Sequence, residues 1–193
     1  MTLEKFLEIY PNELVPAKDY ISQVGRTYSP KFWDDSICSA ELQRTLDNVH
    51  CVMGIVDEFD EYNDVIKAGC DSNKMVDEMG DILWYVANYC RFNHIPFQKI
   101  EACNVDYDGE FVKLLGIHKK ELAYFKMPDI DMCTRLIQTG LTYLIQQLEF
   151  ALIPLEYVLY INLKKLYIRY PDKFEADLAI NKNVDIELTQ TFK

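Results

Sequence analysis

Apolar residues recur at three- and four-residue steps through most of this chain, and those steps predict a succession of helices. The longest run follows Ser39, an N-cap residue type, and passes through Leu42, Leu46, Val49, Met53, Val56 and Phe59 to a stop at Ala68-Gly69. Gly54 interrupts it, and a lone glycine inside a helical pattern points to close packing rather than a break. Ser72 is positioned to cap the next helix, whose apolar positions Met75, Met79, Ile82, Leu83, Tyr85, Val86 and Tyr89 lead to about Phe92. The link between the two is only a few residues, so they are expected as antiparallel neighbours.

The flanking chain carries shorter or weaker patterns. Residues 2–9 and roughly 12–25 are expected as short helical pieces around Pro11 and Pro16, and Tyr28 to Ser36, with Pro30 and Trp33, as a loop. Short helices are expected at about 96–103 and 109–124, with a break around Asn104–Asp108. A further helix follows Pro128 and Asp129, over about 130–151, with Met132, Leu136, Leu141, Leu144 and Leu148 as its apolar stripe. Pro154 starts a last helix that runs to about Arg169 before Pro171, and the polar tail 175–193 has no clear period. The expected fold is all-α and a single domain over residues 1–193. Only 7 Gly and 7 Pro among 193 residues agree with helices rather than strands and turns, and 49% apolar residues suffice for one core.

Charge narrows the partners. A formal net charge of −11 without a long basic run argues against a nucleic-acid polymer, whose binding needs clustered Lys and Arg, yet leaves single nucleotides open. None of the six cysteines forms a C-x-x-C pair, so Cys38, Cys51, Cys70, Cys90, Cys103 and Cys133 are expected as reduced thiols in a cytoplasmic protein, several of them filling the core. MTLEKFLEIY lacks a basic segment followed by an apolar one, and no apolar run is long enough for a bilayer, so neither a secretory signal nor a membrane partner is expected.

The candidate chemistry lies on the two central helices. Glu58 and Glu61 form one pair three positions apart, Glu78 and Asp81 another, and on a helix each pair shares one face. Ile55 and Val65 flank the first pair, and Met75, Ile82 and Leu83 the second. Carboxylates beside an apolar seam need cationic compensation, and a hard divalent ion such as Mg²⁺, which prefers oxygen ligands, supplies it. A charge-rich face is more often simply solvated, and Asp57, Asp60, Asp64 and Asp77 are expected to include such residues. A di-iron site would need Glu-x-x-His units, and none of His50, His94 and His118 follows a Glu by three.

A second candidate is one face of the last long helix, where Asn162, Lys165 and Arg169 stand three and four apart. An amide and two cations suit phosphate oxygens, although basic residues also decorate helix C-termini for the dipole alone. Lys67 either reaches a phosphate or is an ordinary surface lysine. His50 lies on the side of its helix that carries Glu58 and is expected as a buried, hydrogen-bonded core residue. Trp33, Trp84 and Tyr85 are expected as core aromatics, with base stacking the minor alternative.

Three blocks then carry a likeness. His50-Cys51-Val52-Met53-Gly54-Ile55-Val56-Asp57-Glu58-Phe59-Asp60-Glu61, Asp77-Glu78-Met79-Gly80-Asp81-Ile82-Leu83-Trp84-Tyr85, and Asn162 with Lys165-Leu166 and Arg169-Tyr170-Pro171-Asp172-Lys173-Phe174 resemble, in that order, the MazG-like all-α nucleoside triphosphate pyrophosphohydrolases. Ala176 to Lys182, where Asn181 precedes a basic residue, is similar to the family's tail. The resemblance implies hydrolysis of a nucleoside or deoxynucleoside triphosphate to monophosphate and pyrophosphate. It implies Mg²⁺, with Mn²⁺ as a substitute, held by Glu58, Glu61, Glu78 and Asp81. Lys67, Asn162, Lys165, Arg169 and Tyr170 would contact the triphosphate, and the protein would be a dimer or tetramer. Glu61, with Glu58 as its rival, is assigned the attacking water as general base. Residues of about 96–150 have no counterpart in the family pattern and form an insertion of one or two helices. A non-catalytic protein that keeps the nucleotide pocket, and a helical bundle used only for interaction, are the alternatives.

Overall fold

The structure, a computed structural model, describes residues 1–28, 39–69, 71–101, 108–172, 174–175, 177 and 189–192. Pro30, Trp33, Cys38, Cys70, Cys103 and Lys173, and most of the tail with Asn181 and Lys182, lie outside the described residues. Helices are α1 (Leu3–Ile9), α2 (Ala17–Val24), α3 (Ala40–Lys67), α4 (Ser72–Phe92), α5 (Asp108–Tyr124), α6 (Ile130–Phe150) and α7 (Leu155–Arg169), with no strand among the described residues. The all-α expectation holds. No single helix among them is long and apolar enough to cross a membrane.

Local chemistry sets the ends. Ser39 caps α3 by accepting from the Leu42 amide at 3.2 Å, as its residue type predicts. At α4 the cap is Asp71, which accepts from the amides of Asn73 and Lys74; Ser72, the expected cap, is the first helical residue. Asp129 caps α6 in the same way. α2 begins only after Pro16, which has no N–H for a preceding turn, so residues 12–16 are not helical. Residues 96–101 are also not helical, with Pro96 directly after the end of α4 and its turn. The C-terminus of α7 is closed from α2's side: Arg26 donates to the carbonyls of Tyr170 (2.6 Å) and Leu166 (3.3 Å) while its guanidinium lies 4.0 Å over the Tyr167 ring.

α4 is the central element, buried along most of its length and packed on α2, α3, α6 and α7. The α3–α4 pair is antiparallel, since Asn48 bonds Asn93 near one end and Gly54 abuts Tyr85 further along. One apolar cluster takes residues from all seven helices, with Cys51, Cys90 and Cys133 as free buried thiols within it. The buried face of α3 differs from the expected one. Thr45, Asn48, Cys51, Val52 and Ile55 point into the core, whereas Leu42 and Met53 are exposed. Because α3 is apolar on two sides, periodicity identifies the helix but not which side meets α4.

Candidate metal centre

The antiparallel pairing of α3 and α4 brings acids from both helices together. Glu58, Glu78 and Asp81 each offer a carboxylate oxygen within 4.8 Å of the others, and this is the only such group of acids, histidines or cysteines among the described residues. All three are partly buried. Glu61, the fourth member of the quartet, is exposed one turn further along α3, outside that group but near enough to act electrostatically on Glu58 and Glu78.

The helices are held in this register from the α7 side. Lys165 is 2% exposed, with its ammonium 2.6 Å from Asp77 Oδ1 and 2.7 Å from Asp81 Oδ2. The Asp77 contact is an ion pair rather than an aligned hydrogen bond, whereas that to Asp81 is both. Asn162 donates from Nδ2 to Asp81 Oδ1 at 2.9 Å, and its Oδ1 accepts from the Tyr20 hydroxyl at 2.8 Å. Gly80 permits this approach, because a Cβ there would lie 3.0 Å from Asn162 Cβ. Asp81 is therefore oriented by two residues of α7, which leaves its edge toward Glu58 and Glu78 fixed.

Negative charge exceeds the local cation. Burial, then Asp81 and Glu61, pushes Glu58 up to about 8; burial, then Asp81 and Asp77, pushes Glu78 up to about 7. Asp77 is also raised by burial, against the pull of Lys165. Burial alone would lower the Lys165 ammonium, but Asp81 and Asp77 outweigh it and keep the charge in place. An all-carboxylate donor set in which two members retain protons near neutrality fits a hard divalent cation, whose binding displaces those protons.

The remaining expected residues separate. Lys67 is at the exposed end of α3, paired with Asp64 at 2.9 Å, and the structure does not bring it to the acids. Asn162 and Lys165 reach Asp81 rather than open solvent, so the geometry differs from the expected direct contact with phosphate. Arg169, one turn beyond Lys165 and half-buried, sits 5.8 Å over the Tyr170 ring, and its charge still reaches Asp77. Tyr170 is buried in the C-cap of α7, packed against Phe174. Asp77, expected among the solvated acids, is buried and paired with Lys165; it stands four before Asp81, a spacing that puts both on one face of α4. His50 is half-buried rather than enclosed, edge-on to Tyr28 and Tyr85, and Trp84 and Tyr85 are likewise half-buried.

A family model described as the MazG nucleotide pyrophosphohydrolase domain matches residues 48–104. The span contains all four acids of the quartet and Asp77, and the match bears out the MazG-like resemblance over the first two motif blocks, the block from Asn162 to Phe174 lying outside it. No curated protein and no solved structure matches the chain.

Proposed function

Starting from the MazG match, we propose that this chain hydrolyses a nucleoside or deoxynucleoside triphosphate to the monophosphate and pyrophosphate with Mg²⁺, for which Mn²⁺ can substitute. The observation that carries the reading is the convergence of Glu58, Glu78 and Asp81 inside the matched span. These three residues would hold the ion. When bound, Mg²⁺ neutralises phosphate oxygens and polarises the phosphorus. Lys165 and Asn162 act as positioning residues that fix Asp81. Glu61, exposed at the rim, accepts a proton from the attacking water as the bond between the α- and β-phosphates breaks and pyrophosphate leaves. Arg169 is the cation placed to meet the triphosphate from the α7 side. The cytoplasmic location and the homo-oligomer implied by the resemblance belong to the same proposal.

Pyrophosphate release from a panel of ribo- and deoxynucleoside triphosphates tests it. Turnover with Mg²⁺, its loss in EDTA, and a fall in Glu78→Gln larger than the roughly 10–100-fold effect of an outer-shell residue are expected. No pyrophosphate from any triphosphate with Mg²⁺ or Mn²⁺, or normal turnover in Glu78→Gln, would overturn the assignment.

A further inference from the structure

Among the described residues, part of the second apolar side of α3 does not close on a neighbour. Met53, Val56 and Phe59 face Phe111, Val112 and Leu115 of α5 across a cavity of about 660 Å³, in the range of small-molecule sites. Met53 is 56% and Val112 57% exposed, although α3 and α5 pack together elsewhere. Two of the rings that wall the space are seated on glycines. A Cβ at Gly54 would overlap the Tyr85 ring, and one at Gly140 of α6 would overlap Phe111. Phe59 and Phe111 stand 6.2 Å apart between centroids, and His50 and Tyr85 5.6 Å. Each pair is in mutual contact, tilted or edge-on, so the rings wall the slot side by side and offer it aromatic faces and edges for a flat ring.

Its polar edge has one character. Asp57, Asp60 and Asn63 line it with His50, and no Lys or Arg does among the described residues. Burial lowers His50, opposed by Asp47, so its ring is neutral. Two carboxylates without a cation repel phosphate and accept N–H donors. The slot also adjoins the metal centre: Tyr85 is one turn after Asp81, Asp57 and Phe59 flank Glu58, and the charges of Glu58 and Asp81 act on the Tyr85 hydroxyl. A ligand whose ring lies in the slot can present its phosphates to the acids.

We propose that the α3–α5 cleft is the nucleobase pocket, and that its acceptor-rich edge selects bases bearing an exocyclic amino group, cytosine, adenine or guanine, over uracil and thymine. The inference rests on reading Glu58, Glu78 and Asp81 as the triphosphate end. Cytosine, adenine and guanine each offer an exocyclic amino group to Asp57 or Asp60, where uracil and thymine offer only N3–H, flanked on both sides by carbonyl oxygens that the carboxylates repel. α3 then carries the choice of base through Asp57 and Asp60, and α5 supplies the apolar wall against which the base lies.

Calorimetric titration with cytidine, adenosine, guanosine, uridine and thymidine, which carry no phosphate, reads the pocket apart from the chemistry. At least one amino-bearing nucleoside should bind about tenfold or more tighter than uridine and thymidine, the worth of one net hydrogen bond to a charged group. Val112→Trp, at an exposed position that tolerates bulk, should abolish binding, and Asp57→Asn with Asp60→Asn should remove the preference. Equal binding of uridine, or indifference to both variants, overturns the inference, as does the absence of nucleoside binding together with no base preference in pyrophosphate release. Nucleoside selectivity without hydrolysis of any triphosphate would sink the proposed reaction and leave the pocket standing. Hydrolysis blind to the base and to Val112→Trp would do the reverse.

Discussion

Lys165 and Glu78 show how single side chains divide the work at this site. Lys165 is the buried cation that makes Asp77 and Asp81 tolerable, so Lys165→Met should lower stability by about 3–5 kcal/mol, the cost of truncating a buried pair. A melting temperature unchanged by that substitution would contradict the role. Glu78 is opposed by its neighbours, so Glu78→Gln should raise the melting temperature of the metal-free protein while removing metal binding. The pH dependence follows with its sign. Burial and the neighbouring carboxylates push Glu58 up to about 8 and Glu78 up to about 7 in the folded chain, against an ordinary carboxyl value of about 4.5. The folded state therefore holds more protons than the unfolded between those limits, and the stability they contribute, complete below about pH 4.5, is lost as pH rises through about 8. His50 and His118, held neutral by burial, work in the opposite sense but only below about 6.5. In EDTA the melting temperature should fall between about pH 6.5 and 8.5, and the rise produced by Mg²⁺ should grow over the same window. A Mg²⁺ effect that shrinks as pH rises would mean these carboxylates do not hold the ion.

Glycines decide how closely the elements approach. Gly54 seats Tyr85 between α3 and α4, Gly80 seats Asn162 between α4 and α7, and Gly140 seats Phe111 between α5 and α6. Gly116 in α5 meets nothing within 4 Å. Alanine improves helix propensity by about 1 kcal/mol at any of these positions, but overpacking costs about 1–3 kcal/mol where a ring must move. Gly54→Ala and Gly140→Ala should therefore lower the melting temperature and Gly116→Ala raise it; the same sign for all three would refute the packing argument. The sequence showed that Gly54 marks close contact but not its partner, because Tyr85 comes from the next helix. Helices α3, α4, α6 and α7 were legible to within a residue or two, since each repeats apolar positions over many turns between clear caps. The expected helix at 96–103 was not found over 96–101, where Pro96 outweighs a short apolar pattern. The quartet's spacing located the acids, but only the depth of the α3–α4 seam separates Glu58 from exposed Glu61. The same spacing put Lys165 and Asn162 on one face of α7 but did not show that they reach Asp81, because Asp81 lies on another helix.

At the scale of the molecule, the question is whether α5 and α6, beyond the span matched by the MazG domain, are part of one structure or an appendage. Their apolar residues enter the common cluster, and a buried polar chain adds direction to that packing. His118 Nδ1 lies 2.8 Å from Glu121 Oε2, its Nε2 lies 2.8 Å from the Tyr89 hydroxyl of α4, and Thr45 of α3 donates to Glu121 Oε1 at 2.9 Å. In the tautomer that satisfies both contacts, Nδ1 donates to Glu121 and Nε2 receives the Tyr89 hydrogen. Tyr89→Phe leaves Nε2 buried without its donor and should cost about 1–3 kcal/mol. If the chain is one domain, that loss shifts a single unfolding transition, followed identically by circular dichroism and tryptophan fluorescence. Two separated transitions would show that α5 and α6 fold by themselves. Because α5 also carries Phe111 and Val112, the substitution should weaken nucleoside binding more than Mg²⁺ binding, which depends on α3, α4 and α7. Equal weakening of both would mean that α5 supports the acids as directly as it supports the cleft.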